Sequence, residues 1–171
     1  MSSVEVDHLP LAAAILKRMA SKRRTLVLAE SCTAGLVAAT LASIPGASAV
    51  LAGSWVVYQT PSKTEWLGLE DSLLERYGPV SEQVTRLLAS AALQRTPHAD
   101  LALAITGNLG PAVQSDADGA LFIAVLIRGN RPVCQRTNLQ LPTPRDASDF
   151  IARRDRMNEA VSYALAALQN L

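Results

Sequence analysis

The sequence predicts an α/β fold: a three-layer α/β/α sandwich around a mixed, mostly parallel sheet. Three observations lead there. Apolar runs of strand length, such as Thr25–Ala29 and Leu101–Thr106, alternate with segments whose apolar residues repeat at helical spacing. Gly129-Asn130 is a hairpin signal between two further strand-like runs, which adds an antiparallel pair to the sheet. The 171 residues are 49% hydrophobic but only 4% aromatic, so Ala, Leu, Val and Ile must fill the interior. That composition suits Ala-rich helices lying close on an aliphatic sheet, within a single domain spanning 1–171.

The elements follow in order. Pro10 suits a first helical turn, and Leu11, Ile15, Leu16 and Met19 then repeat at helical spacing. Thr25–Ala29 reads as a buried strand, Thr33–Ser43 as a helix closed by Pro45-Gly46, and Val50–Tyr58 as a second strand. Pro61 and Ser62 form a stop and an N-cap, so that Lys63 starts a short helix. Asp71 caps another short helix ending at Gly78, and Pro79-Val-Ser81 leads into a longer one, about Glu82–Gln94. Leu101–Thr106 is the third strand, followed by Gly107-Asn-Leu-Gly110-Pro111 and a polar loop to Gly119. Leu121–Arg128 and Pro132–Leu139 make the hairpin. The last helix carries an apolar stripe of Phe150, Met157, Val161, Ala164, Leu165 and Leu168.

Charge and cysteine usage narrow the function classes. Sixteen basic residues against fifteen acidic ones give a net charge of +1, without the electrostatic footprint of a nucleic-acid binder. Lys22-Arg23-Arg24 and Arg153-Arg154-Asp155-Arg156 are short enough to be solvated faces. Cys32 and Cys134 match no zinc or redox spacing and fit a reducing cytoplasm. The start, with Glu5 and Asp7, lacks the basic and apolar regions of a signal peptide, and no apolar run reaches the length of a membrane span. A cytoplasmic protein without membrane or metal partners is the expectation.

The chemistry centres on Ser31. An apolar strand ends, a small hydroxyl appears and a helix is expected at once, which would set the serine oxygen beside the amides of Cys32, Thr33 and Ala34. Such amides stabilise the oxygen of a tetrahedral intermediate, and removing one donor costs about 2.7–4 kcal/mol in other enzymes. A serine hydroxyl needs a base, and a neutral lysine can be one. Lysine normally holds its proton to about pH 10.4, so Lys63 would need burial, with Trp66 and Leu67 as drying neighbours, and a small contribution from a helix N-terminus. Tyr58, at a strand end, can donate and accept a proton. Both segments fall at the carboxyl edge of an α/β sheet, where ligands bind. Each residue also has a plain reading. Ser31 or Thr33 caps a helix, Lys63 lies on the surface, Tyr58 packs a strand end and Cys32 fills a small buried space. Thr106-Gly107 and Gly110-Pro111 either end a strand and shape a turn or present amides to a phosphate. His8 and His98 lie beside Pro-containing, exposed segments.

Together these segments resemble the CinA C-terminal domain family, the nicotinamide mononucleotide deamidases. The resemblance runs from about Leu11 to Leu168 and rests on an ordered set: Ala29-Glu-Ser31-Cys-Thr33-Ala-Gly35, Pro45-Gly-Ala-Ser48, Gly53 through Tyr58, Lys63, Gly78-Pro-Val-Ser-Glu82, and Ala99 through Gly107. It implies an amidase with Ser31 as nucleophile, Lys63 as general base and Tyr58 in a proton relay. Thr33, Gly35, Ser48, Thr106, Gly107 and Arg153 are the implied substrate-binding residues. No metal or cofactor is implied, the ligand is a small-molecule nucleotide, and self-association is expected. The implied form is stand-alone, whereas full-length relatives carry a preceding N-terminal domain.

The departures cluster in one region. Apart from Ala34, which stands where a second glycine is usual, Gly107-Asn-Leu-Gly-Pro-Ala-Val-Gln replaces a glycine-rich stretch. Ala120 stands where Thr or Ser is usual, and the family's Gly-Asp-Arg before the last helix matches either Arg145-Asp146 or Arg153. The altered loop, Asn108–Asp118, keeps two other readings open: an amidase for a different amide, or a nucleotide-binding relative without catalysis.

Overall fold

The computed structural model describes residues 7–111, 117–146, 148–169 and 171. The chain runs α1 (Leu9–Ser21), β1 (Leu26–Glu30), α2 (Leu36–Ala42), a 3₁₀ turn (Ala47–Ala49), β2 (Leu51–Val56), α3 (Thr60–Glu65), α4 (Asp71–Tyr77), α5 (Glu82–Arg95), β3 (Leu101–Gly107), β4 (Ala120–Ile127), β5 (Val133–Asn138) and α6 (Phe150–Gln169). The strands form one sheet in the order β2-β1-β3-β4-β5. β1 pairs in parallel with β2 and β3, while β4 runs antiparallel to both β3 and β5. The expected mixed α/β sandwich is therefore found, with β4 as the reversed strand of the five.

Alternation along the strands splits the core into two layers. Leu26 and Leu28 of β1, with Leu101, Leu103 and Ile105 of β3, face α1, α2 and α6. Val27, Ala29, Ala102 and Ala104 face the other way, toward α5 and Leu67, Leu69 and Leu74. On that second face alanines of the sheet meet Ala89 and Ala92 of α5, all fully buried, so helix and sheet approach closely. This is how a chain poor in aromatics closes its interior. Among the described residues no helix is long and apolar enough to cross a membrane.

Local chemistry sets several boundaries. Ser81 caps α5 by accepting from the Val84 amide at 3.3 Å. Arg128 donates to the carbonyls of Leu93, Thr96 and Ala99 at the other end of α5. Some expected boundaries are corrected. α3 begins at Thr60 with Gln59 as N-cap, so Lys63 sits inside the helix, and Ser62 is not its cap. Glu70, not Asp71, is the N-cap of α4. Phe150 opens α6 but is 74% exposed and lies outside the apolar stripe. The altered loop is partly placed: Ala112–Gln114 and the remainder to Asp116 fall outside the described residues, as does the acidic start before Asp7.

Candidate active site

The turn after β1 differs from the expected immediate helix. Residues 31–35 form a turn, with Ala34 at φ +51° and Gly35 at φ +96°, and α2 starts only at Leu36. Its N-terminal amides are not open to a ligand. Glu30, fully buried at the end of β1, takes them with its carboxylate: Gly35 N–H at 3.0 Å, Val37 N–H at 3.0 Å and Ala38 N–H at 2.9 Å. Thr33 and Ser54 hydroxyls donate to the same carboxylate at 2.8 and 3.0 Å. A buried carboxylate with five donors is well compensated, and negative charge suits a helix N-terminus. Neither Ser31 nor Thr33 is the cap of α2.

Glu30 holds the turn so that Ser31 stays free for other contacts. The Ser31 amide donates to Ile105 O at 3.1 Å, which ties the residue to β3, and its carbonyl accepts from Ala34 N–H at 3.1 Å. The Ala34 amide is thus withdrawn from the expected set of three. Among the described residues those of Cys32 and Thr33 have no protein acceptor.

Lys63 meets the serine from α3. Its Nζ donates to Val57 O at 2.8 Å and to Ser31 Oγ at 3.3 Å, and the residue is only 1% exposed. Burial lowers the lysine pKa, opposed by the neighbouring Cys32. The lowered pKa favours a neutral amine, and the 3.3 Å separation puts Nζ within reach of the Ser31 hydroxyl. Of the expected drying neighbours, Leu67 is buried, but Trp66 is half exposed. Cys32 is 5% exposed within the core, and burial pushes its thiol up to about 12, so it is a filler rather than a thiolate.

The other expected residues separate into three groups. Tyr58 is half exposed and its hydroxyl accepts from Arg153 Nη2 at 2.8 Å, not from Lys63 or Ser31. Arg153 also donates to Gly110 O, while Arg145 is solvent-facing and pairs with Asp149 at 3.2 Å. Between the two arginines weighed from sequence, Arg153 is the one beside Tyr58.

Thr33 and Gly35 flank Ser31 on its turn and donate to Glu30, while Thr106 and Gly107 end β3, to which Ser31 is bonded. Thr106 is fully buried and shares a 2.8 Å hydrogen bond with Thr85, which itself donates to Ser81 O at 2.6 Å. A Cβ on Gly107 would lie 2.7 Å from Leu121 Cδ1, 3.1 Å from Ala120 O and 3.2 Å from Cys32 Sγ, so a larger residue there would have to displace the buried Leu121 side chain. Ser48 is not brought to the site. It is exposed on the 3₁₀ turn that enters β2, where Leu51 pairs with Leu26, while Ser31 follows the other end of β1. Five residues of strand separate these edges by roughly 16 Å.

Sequence reasoning gave Glu30 no role. The available signal was a charged residue closing a fully apolar strand, directly before a helix with no conventional cap.

An α/β domain with a buried serine–lysine pair at the carboxyl edge of its parallel strands is the class that fold and site define. Residues 8–171 match the CinA C-terminal domain, and the chain belongs to that family. It is 39% identical over 139 residues to a CinA-like protein of Akkermansia muciniphila, covering 80% of this chain and 32% of that one. With a CinA-like protein of Mycolicibacterium vanbaalenii it shares 42% identity over 132 residues, 76% of this chain and 30% of that one. The chain thus spans about a third of the length of the curated relatives it matches. Among solved structures, a competence-damaged protein (CinA) superfamily protein from Escherichia coli superposes with TM-score 0.83 at 29% identity, covering 99% of this chain and 96% of that one. The competence/damage inducible protein CihA from Agrobacterium tumefaciens also gives TM-score 0.83 and 29% identity, covering 99% and 98%.

Proposed function

We propose that the protein is an amidohydrolase that converts nicotinamide mononucleotide to nicotinate mononucleotide and ammonia. The observation that carries this reading is the 3.3 Å approach of Lys63 Nζ to Ser31 Oγ, both residues being buried. Neutral Lys63 takes the Ser31 proton as Oγ attacks the carboxamide carbon. The tetrahedral oxyanion is stabilised by the amides of Cys32 and Thr33. Lys63 then returns its proton to the amide nitrogen, the C–N bond breaks and ammonia leaves an acyl-Ser31. Water, deprotonated by Lys63, attacks the acyl carbon and releases the carboxylate with Ser31 restored. Tyr58 and Arg153 form the polar wall that holds the nucleotide. Tyr58 bonds to Arg153 rather than to the dyad, which supports substrate holding over proton relay.

A different amide as substrate is the second reading. Both terminal nitrogens of Arg153 are already engaged, by Gly110 O and Tyr58, so a phosphate would meet only the remaining N–H groups. Ammonia release from nicotinamide mononucleotide, measured for wild type beside Ser31→Ala, tests the proposal. Turnover abolished by the substitution is expected. Equal turnover in both proteins rejects the mechanism, and faster turnover of another amide selects the second reading.

A further inference from the structure

The two segments where the motif pattern departs most, 107–119 and 141–153, are joined by a side-chain cluster that the hydrolytic mechanism does not use. Arg156, one turn beyond Arg153 on α6, is only 3% exposed. Its Nη1 donates to Asp118 Oδ1 at 2.7 Å, and its Nη2 to Asp118 Oδ2 and Thr143 Oγ1, both at 3.0 Å. Nε donates to Leu141 O at 3.0 Å, and the Thr143 hydroxyl donates to Asp118 Oδ2. A buried guanidinium needs such complete pairing, and a bidentate carboxylate adds directional stiffness.

Gly110 rests on this cluster. A Cβ there would lie 2.9 Å from Thr143 Cγ2, 3.1 Å from Pro144 Cδ and 3.3 Å from Asp118 Oδ1. On its other side the Gly110 carbonyl accepts from Arg153, which also donates to Tyr58. Contacts are therefore continuous from Arg156 through Gly110 to the polar wall of the site.

We infer that Asp118, Thr143 and Arg156 are positioning residues that hold Gly110 and Arg153 in register for an anionic substrate, and so set substrate affinity rather than the rate of acyl transfer. The inference rests on the reading of Arg153 and Tyr58 as the substrate-holding wall. Arg156→Lys keeps the charge but loses the fork that spans Asp118, Thr143 and Leu141. It is expected to raise KM for nicotinamide mononucleotide about tenfold with kcat within about twofold of wild type. Thr143→Val, at an exposed position where folding is not at risk, is expected to raise KM about threefold.

Amide hydrogen exchange provides a readout independent of turnover. Asn108 N–H donates to Ala120 O at 2.9 Å and Gly119 N–H to Asn108 O at 3.0 Å, so both should exchange faster in the variants while Leu88 in α5 stays protected. A loss of kcat at constant KM, or unchanged exchange at Asn108 and Gly119 in both variants, overturns the inference. Absence of turnover in wild-type protein would instead refute the Ser31–Lys63 reading, with exchange still deciding this one.

Discussion

Ser31 and Lys63 are 8% and 1% exposed, whereas Tyr58, which on the proposed reading holds the substrate, is 50% exposed and its partner Arg153 only partly covered. The two walls are also built by different means. The dyad wall hangs largely on backbone: Ser31 is tied to β3, Lys63 to Val57 O, and the connecting turn, the start of α2 and Ser54 of β2 are gathered on Glu30 by five hydrogen bonds. The polar wall hangs on long side chains, Arg153 reaching Tyr58 and Arg156 reaching Asp118. On the proposed function, chemistry that needs sub-ångström placement sits where the sheet enforces it, and recognition sits where one substitution can readjust it.

The largest effect that would break this contrast comes from Lys63→Met. The variant keeps the volume but removes the base, and we expect kcat to fall by at least about 10³-fold. For wild type, kcat/KM should rise with pH through the lowered pKa of Lys63, since only the neutral amine accepts the serine proton. The same shift acts on stability with a defined sign. Lys63 binds fewer protons folded than unfolded between its lowered pKa and about 10.4, so its contribution makes stability rise with pH across that window. Denaturation at several pH values should show this slope in wild type and its loss in Lys63→Met. Undiminished activity in the variant would remove the dyad from consideration.

Glu30→Gln comes next. An amide cannot accept from all five donors, so we expect about 2–4 kcal/mol of lost stability by denaturant melts and a fall in kcat of about tenfold to a hundredfold. A variant with wild-type kcat would show that the turn does not depend on the carboxylate.

Tyr58→Phe sharpens the comparison from the other wall. Removing only the hydroxyl that accepts from Arg153 should raise KM by about three- to tenfold and leave kcat within about threefold. A kcat fall of about a hundredfold would restore Tyr58 to a proton relay.

Ala34→Gly should have the smallest effect. Ala34 is exposed and left-handed, so glycine loses no packing there and should raise stability by about 0.5–1 kcal/mol in a thermal melt.

How much of this was legible in the sequence follows the same division. Strands such as Leu101–Gly107 and the Gly129-Asn130 hairpin were readable, because alternation, run length and turn chemistry are local. The Ser31–Lys63 pairing is legible through the ordered motif set, together with the convergence of the β1 and β2 ends at one sheet edge; either residue alone reads more simply as a cap or a surface side chain. Glu30 was not, since a carboxylate beside a polar turn looks solvated until the helix amides are seen to fold back over it. The start of α2 was misplaced for that reason: composition suggests helix from Thr33, while the reach of the Glu30 carboxylate bends the chain until Leu36. Ser48 is expected at the site from motif order alone, and motif order carries no information about which edge of a sheet a residue occupies. Arg156 was hidden among three neighbouring arginines, distinguished only by a partner thirty-eight positions away.

Because β4 runs back against β3, the segment between them is closed like a hairpin by the Asn108–Ala120 and Asn108–Gly119 backbone bonds. Lengthening such a tip adds little closure entropy, roughly 0.6 kcal/mol per doubling, and leaves every bond below it in place. Segments transplanted from relatives between Pro111 and Ala117 should therefore be tolerated as grafts, provided that Gly110 and Asp118, which pack on Arg153 and Arg156, are kept. If the proposed amidase reading holds, selectivity among amides then becomes exchangeable cargo on a fixed chassis.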